Sequence, residues 1–214
     1  MNKELLEKTL EYVKERFKED FSGHDYYHTL RVYKLAESIC NEEKADLEIV
    51  QLAALLHDVD DYKLFGKNEG KMTNAELFLR ENNVSEEKIN AINDIIASIS
   101  FKGTDTKVPE TIEGKIVQDA DRIDAIGAIG IARAFAYGGS RNRSMYDPDE
   151  KPRDHMDFEE YSKNKGTTIN HFYEKLLKLK DMMNTESGRR VAEDRHKYME
   201  DFLNEFYHEW EGRI

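Results

Sequence analysis

"QLAALLHDVDDYKL", residues 51–64, starts as an apolar helix and then sets down one imidazole and three carboxylates, His57, Asp58, Asp60 and Asp61. Val50, Ala53, Ala54 and His57 recur at helical spacing, so the ring of His57 belongs to a core-facing stripe. Taken alone, a hydrogen-bonded core histidine would account for it. Asp60 lies about 100° round the helix from Asp61 and reads as a solvated or helix-terminus residue.

Outward from this stretch, apolar residues keep recurring at intervals of three and four. Prolines are only three, at 109, 148 and 152. That pattern predicts an all-α fold, with helices over about 3–18, 26–41, 46–58, 69–81, 86–99, 111–136, 167–183 and 187–210. No run alternates well enough to be a strand. Two interruptions stand out, 100–110 and 138–158; the second is longer than an ordinary loop and suits either a lid or a solvated segment. "GAIG" at 127–130 falls inside a predicted helix, so its glycines read as sites of close helix approach and not as a phosphate loop. In the last helix Val191, Met199, Phe202, Phe206 and Trp210 form a stripe suited to packing on the body.

Length and charge narrow the function. A chain of 214 residues is expected to form one domain, 1–214. Its net charge of -12, from 44 acidic against 32 basic residues, opposes nucleic acid and anionic membrane surfaces as partners. Cys40 is alone, which rules out an intramolecular disulfide, and it reads as a small buried residue. No window approaches the ~18 apolar residues of a membrane span, and the charged amphipathic start lacks a signal core, so the cytoplasm is expected. A homo-oligomer is carried only as a prior, on aromatic residues the sequence does not place.

Four side chains on three predicted helices suggest a metal site: His28 in "GHDYYHTLRVYKLA", His57 with Asp58, and Asp121 in "VQDADRIDAIGAIGIARAF". Asp25 is a plausible N-cap for the helix that carries His28, and His24 lies outside that helix. Asp121 shares a face with Val117, Ala125 and Ala128, where an unpaired carboxylate would be costly to bury. Arg122 points about 100° away, so a shared ion is the better partner. Two imidazoles and two carboxylates suit manganese, iron, cobalt, nickel or zinc more than calcium. Such an ion can polarise a phosphoryl oxygen and activate water without a catalytic Ser or Cys. Asp61, three residues after Asp58, would face the same opening if the helix continued, and could orient or deprotonate that water.

The ordered set, His28, then 28 residues, His57-Asp58, then 62 residues, Asp121, resembles the HD superfamily of metal-dependent phosphohydrolases. The resemblance implies that His28, His57, Asp58 and Asp121 are metal ligands and that Asp61 serves catalysis. It implies a helical HD-type bundle with a metal-binding core over about 20–137 and a C-terminal helical extension over about 160–214. The stretches at 117–139 and 167–210 further resemble stand-alone bacterial members of the YpgQ type. That subgroup implies manganese-dependent hydrolysis of (deoxy)nucleoside triphosphates to monophosphate and pyrophosphate, with magnesium a further candidate metal. Binuclear members carry extra histidines between the HD pair and the last Asp; residues 59–120 here contain none, which implies one divalent ion.

A triphosphate needs local cations on an acidic protein. Lys63, Arg122, Arg141, Arg143, His171 and Lys175 are the candidates for holding it. Two other functions stay open on the sequence: a nucleoside monophosphate phosphatase or other phosphoesterase, and a non-enzymatic regulatory binding module with a structural metal.

Overall fold

The computed structural model describes residues 2–18, 25–60, 73–99, 107–153 and 166–213. Every regular element among them is helical, so the fold is all-α. The chain divides into two compact units, with the boundary between Ala120 and Asp121.

The first unit holds α1 (Lys3–Arg16), α2 (Tyr26–Glu43), α3 (Leu47–Leu56), α4 (Asn74–Glu81), α5 (Glu86–Ile99) and the start of α6 (Ile112–Asp124). Local sequence sets where these helices begin. Asn2, Asp25, Asp46 and Thr73 each stand at an N-cap and accept backbone N–H groups of the first turn, as short polar side chains do there. α3 is the centre of the unit: α1, α2 and α5 all pack on it, and every residue from Val50 to Leu56 is buried. A helix surrounded by others has no solvent face to keep polar, which is why 51–56 carries only one polar residue, Gln51. Burying Leu52, Leu55 and Leu56 completely contributes about 1.5–3 kcal/mol each. The apolar half of the decisive stretch therefore anchors a rigid rod.

The second unit contains the end of α6, α7 (Gly127–Ser140), α8 (Thr168–Glu174), a 3-10 helix (Leu176–Met182) and α9 (Glu186–Trp210). α9 packs on α7 and on the 3-10 helix, and α8 packs on both as well. Ala192, Met199 and Leu203 are the buried apolar residues of α9. Phe202 clusters with Phe135 and Phe172, its ring centroid 6.0 and 5.9 Å from theirs. Trp210, the end of the expected stripe, remains 49% exposed.

Three expectations change. The helix expected over 111–136 is two helices, broken at Ala125 and Ile126, and Gly127 takes φ +75°, which an L side chain resists. The helix expected over 167–183 breaks at Lys175 and continues as the 3-10 helix. The described part of the 138–158 interruption, 138–153, begins in a helix and is tied down at several points. Residues 138–140 belong to α7, and the segment after them is fastened to its own unit. Ser144 O and Met145 O accept from Thr168 N and Ile169 N at 3.0 Å each. The Tyr146 ring lies 5.0 Å from that of Trp210, and Glu150 O accepts from Asn170 Nδ2 at 3.0 Å. Residues 154–158 lie outside the described residues.

Candidate metal centre

α2 delivers His28 from its first turn. Asp25 caps that turn as expected, its Oδ1 accepting from His28 N at 2.8 Å, and the His28 side chain is fully buried. α3 delivers the other two ligand candidates from its C-terminal end. The helix stops at Leu56, one residue earlier than the pair, and His57 is its C-cap. A helix end leaves carbonyls without N–H partners. His57 Nδ1 donates to one of them, Ala54 O, at 2.9 Å. Because a carbonyl can only accept, this bond puts the proton on Nδ1 and turns Nε2 inward as the remaining ring nitrogen.

There the three side chains meet. Asp58 Oδ2 lies 3.2 Å from His57 Nε2 and 3.5 Å from His28 Nε2. The two imidazoles meet edge to face, with centroids 5.3 Å apart. One donor atom from each of the three residues falls within a 4.8 Å span. A neutral His57 presents a lone pair to a carboxylate oxygen in this arrangement, a repulsive contact unless positive charge lies between them. Ligands about 2.1 Å from one ion are about 3.0 Å apart at right angles and about 3.4 Å apart in a tetrahedron. The separations from Asp58, 3.2 and 3.5 Å, lie in or just outside that range, and the three-residue donor set suits a single borderline or hard divalent cation.

The fourth expected ligand, Asp121, is the first residue of the second unit and is half-buried. Its sequence rationale changes, because the break after Asp124 leaves Ala125 half-buried and Ala128 exposed. The expected apolar stripe does not form. The fully buried carboxylates of α6 are Asp119 and Asp124, and Asp124 pairs with Arg133 at 2.7 Å. Asp61, the expected catalytic residue, lies outside the described residues, as do Lys63 and His24. The condition attached to Asp61, a helix running on past Asp58, does not hold over 57–60, which form a turn.

Among the other substrate candidates, Arg122 is 5% exposed and its guanidinium donates to Met182 O. Arg141 is exposed and Arg143 half-buried, with guanidinium carbons 5.4 and 5.6 Å from the centre of the Tyr137 ring. Arg143 and Lys175 both act on His171. Burial, then the charges of Lys175 and Arg143, push the His171 imidazole down to about 3, so it is neutral near neutral pH. Three of the expected phosphate contacts therefore gather within the second unit.

Asp60 was not given a specific partner by the sequence, and the structure supplies one. Its carboxylate stands at the N-terminus of α4, with Oδ1 accepting from Asn74 N at 2.8 Å and Asn74 Nδ2 at 2.7 Å, and Oδ2 from Ala75 N at 3.0 Å. Asp60 thus stands at the terminus of a helix other than the one its own stretch begins. The helix it caps is 14 residues away, which a reading by period and neighbour does not reach.

Comparison with known proteins agrees with this geometry. A family model described as HD domain matches residues 25–126. The chain is 40% identical over 198 residues to the uncharacterized protein YpgQ of Bacillus subtilis (strain 168), covering 91% of this chain and 88% of that one. The crystal structure of YpgQ in complex with ADP aligns with a TM-score of 0.72 and 33% identity, over 95% of this chain and 93% of that one. An HD-superfamily hydrolase from Bacillus thuringiensis aligns with a TM-score of 0.79 and 45% identity, over 100% of both chains. A protein of Lactobacillus plantarum aligns with a TM-score of 0.86 and 38% identity, over 99% of both.

Proposed function

The chain belongs to the HD-domain hydrolases, and from that premise we propose that it is a metal-dependent phosphohydrolase that cleaves (deoxy)nucleoside triphosphates to the monophosphate and pyrophosphate. The observation that carries the metal dependence is the convergence of His28 Nε2 and His57 Nε2 on Asp58 Oδ2. The ADP bound to YpgQ supports a nucleotide as the ligand class.

His28, His57, Asp58 and Asp121 would hold one divalent ion, manganese by preference. When bound, the ion supplies Lewis-acid charge to a phosphoryl oxygen and lowers the pKa of water. The remaining work falls to the chain. Ala54 O holds His57 in one tautomer and one ring orientation, which makes its Nε2 a fixed donor. Asp61 is proposed to take the proton of the attacking water, whose oxygen forms a bond to the α-phosphorus as pyrophosphate leaves. Arg143 and Lys175 bring fixed positive charge for the phosphates, with His171 kept neutral between them. Lys63, Arg122 and Arg141 are the further cations proposed to meet the substrate.

The test is a nucleotide panel in manganese, with pyrophosphate and phosphate measured separately, coupled to metal analysis of tag-free protein. Asp58→Ala should lose metal and turnover together; unchanged metal content would sink the ligand assignment. Asp61→Ala should keep most of the metal and lose most of the turnover. Loss of both would make Asp61 a ligand or a structural residue instead. Phosphate released from monophosphates, with triphosphates untouched, would replace the pyrophosphohydrolase reading by a phosphatase.

A further inference from the structure

The turn that carries His57 and Asp58 is held from outside by two groups that cannot themselves be ligands to the same ion. Arg16, at the end of α1, donates from Nε to Val59 O at 3.3 Å. Asp60 uses both carboxylate oxygens on the first turn of α4. α1 and α4 are themselves joined, because the Tyr12 ring stacks on that of Phe78 with centroids 4.5 Å apart. The metal-pair turn, α1 and α4 are thus one assembly, with Asp60 as the last residue of the turn and the one that reaches α4.

We infer that Asp60 is a positioning residue for the metal pair: by accepting the Asn74 and Ala75 N–H groups it fixes the 57–60 turn on the α4 N-terminus and so holds the Asp58 carboxylate against His28 and His57. The inference rests on the metal reading of that cluster. Its physical basis is the two-sided anchorage of a four-residue turn. The helix end of α3 holds the turn through His57 and Ala54, while Asp60 holds the other side. Without Asp60, the described bonds left to the chain after Asp58 are Val59 N to Leu56 O and Arg16 Nε to Val59 O, at 3.3 Å each, neither of which reaches α4, and the Asp58 carboxylate loses more rotational entropy on meeting an ion. Groups that orient metal ligands typically change the metal's affinity by about 10–100-fold when removed, and Asp60 would do so through the backbone of the turn.

A plain helix cap would predict something else, and the same helix offers the control. Thr73 also caps α4, its Oγ accepting from Glu76 N at 3.1 Å, but it makes no link to the metal-pair turn among the described bonds. Full-length wild type, Asp58→Ala, Asp60→Ala, Asp60→Asn and Thr73→Ala are stripped of metal, melted, and titrated with Mn2+ alone by calorimetry. Asp60→Ala and Thr73→Ala should melt earlier by comparable amounts, while only Asp60→Ala weakens Mn2+ binding, by about 10–100-fold. Asp60→Asn keeps one oxygen for the Asn74 donors and sets an amide against Ala75 N, so it should recover part of the affinity. Equal Mn2+ affinity in Asp60→Ala and Thr73→Ala overturns the positioning role and leaves the metal site standing. Equal Mn2+ binding in wild type and Asp58→Ala overturns the metal site and this inference together.

Discussion

His171 is an imidazole kept neutral by burial and by the charges of Lys175 and Arg143, and its titration is open to direct measurement. Its folded pKa, about 3, is below the 6.5 of the ordinary side chain. On acidification the unfolded chain therefore binds the proton first. The stability this group contributes is fully present above about pH 6.5 and is lost as pH falls from there towards 3. Urea unfolding of wild type and His171→Asn at pH 7.5 and pH 5 should show the variant losing less stability between the two. Equal losses would mean that burial and the charges of Lys175 and Arg143 do not hold His171 neutral in the folded protein. At this scale the sequence was informative where a residue's role is local. His28 follows its cap by three positions, and His57 closes an apolar stripe. Asp60 is different, since its partners sit beyond a segment that neither period nor spacing traverses. The argument for Asp61 depended on a helix that ends at Leu56, because His57 takes over an orphan carbonyl there and the chain turns.

Between α6 and α7 the chain turns where period alone runs on. Apolar residues keep helical spacing through 116–135, so hydrophobic periodicity cannot register a break of two residues. The glycines of "GAIG" mark it, though with a different meaning for each. Gly127 has φ +75° and faces Arg195 of α9, whose side-chain carbons would lie 3.0–3.2 Å from an added Cβ. Gly130 instead makes room for its own chain: an added Cβ would stand 2.2 Å from Ala125 O. The expected close approach of another helix thus holds for Gly127 alone. Gly127→Ala should cost about 1–2 kcal/mol for the left-handed backbone, and Gly130→Ala about 1–3 kcal/mol because a backbone carbonyl has to move. Gly139 provides the comparison, since nothing lies within 4 Å of an added Cβ there. Gly139→Ala should be neutral or raise stability by about 0.5–1 kcal/mol. Urea unfolding of the three variants would decide it; a Gly130→Ala protein as stable as Gly139→Ala would mean the turn does not pass so close.

Over the whole molecule the sequence conveyed the class of fold and the order of the candidate ligands, and it carries no mark of the boundary between the two compact units. The reason is physical: one unbroken run of helical spacing, 111–136, crosses the boundary between Ala120 and Asp121, and composition does not shift there. The excess of acid is a whole-molecule property too. With a net charge of -12, long-range repulsion works against an anionic substrate and in favour of a divalent cation. No helix among the described residues is long and apolar enough to cross a membrane. If the cluster at His28, His57 and Asp58 binds an ion that the unfolded chain does not, stability must rise with metal concentration by mass action. At one hundred times the dissociation constant the gain is about 2.7 kcal/mol, worth roughly 5–10 °C in a chain of this size. Melting curves at increasing Mn2+ should therefore climb for wild type and stay flat for Asp58→Ala, with Mg2+ giving the smaller shift because two imidazoles suit manganese better. An equal climb in both proteins would place the stabilising ion on the acidic surface and not in the buried cluster.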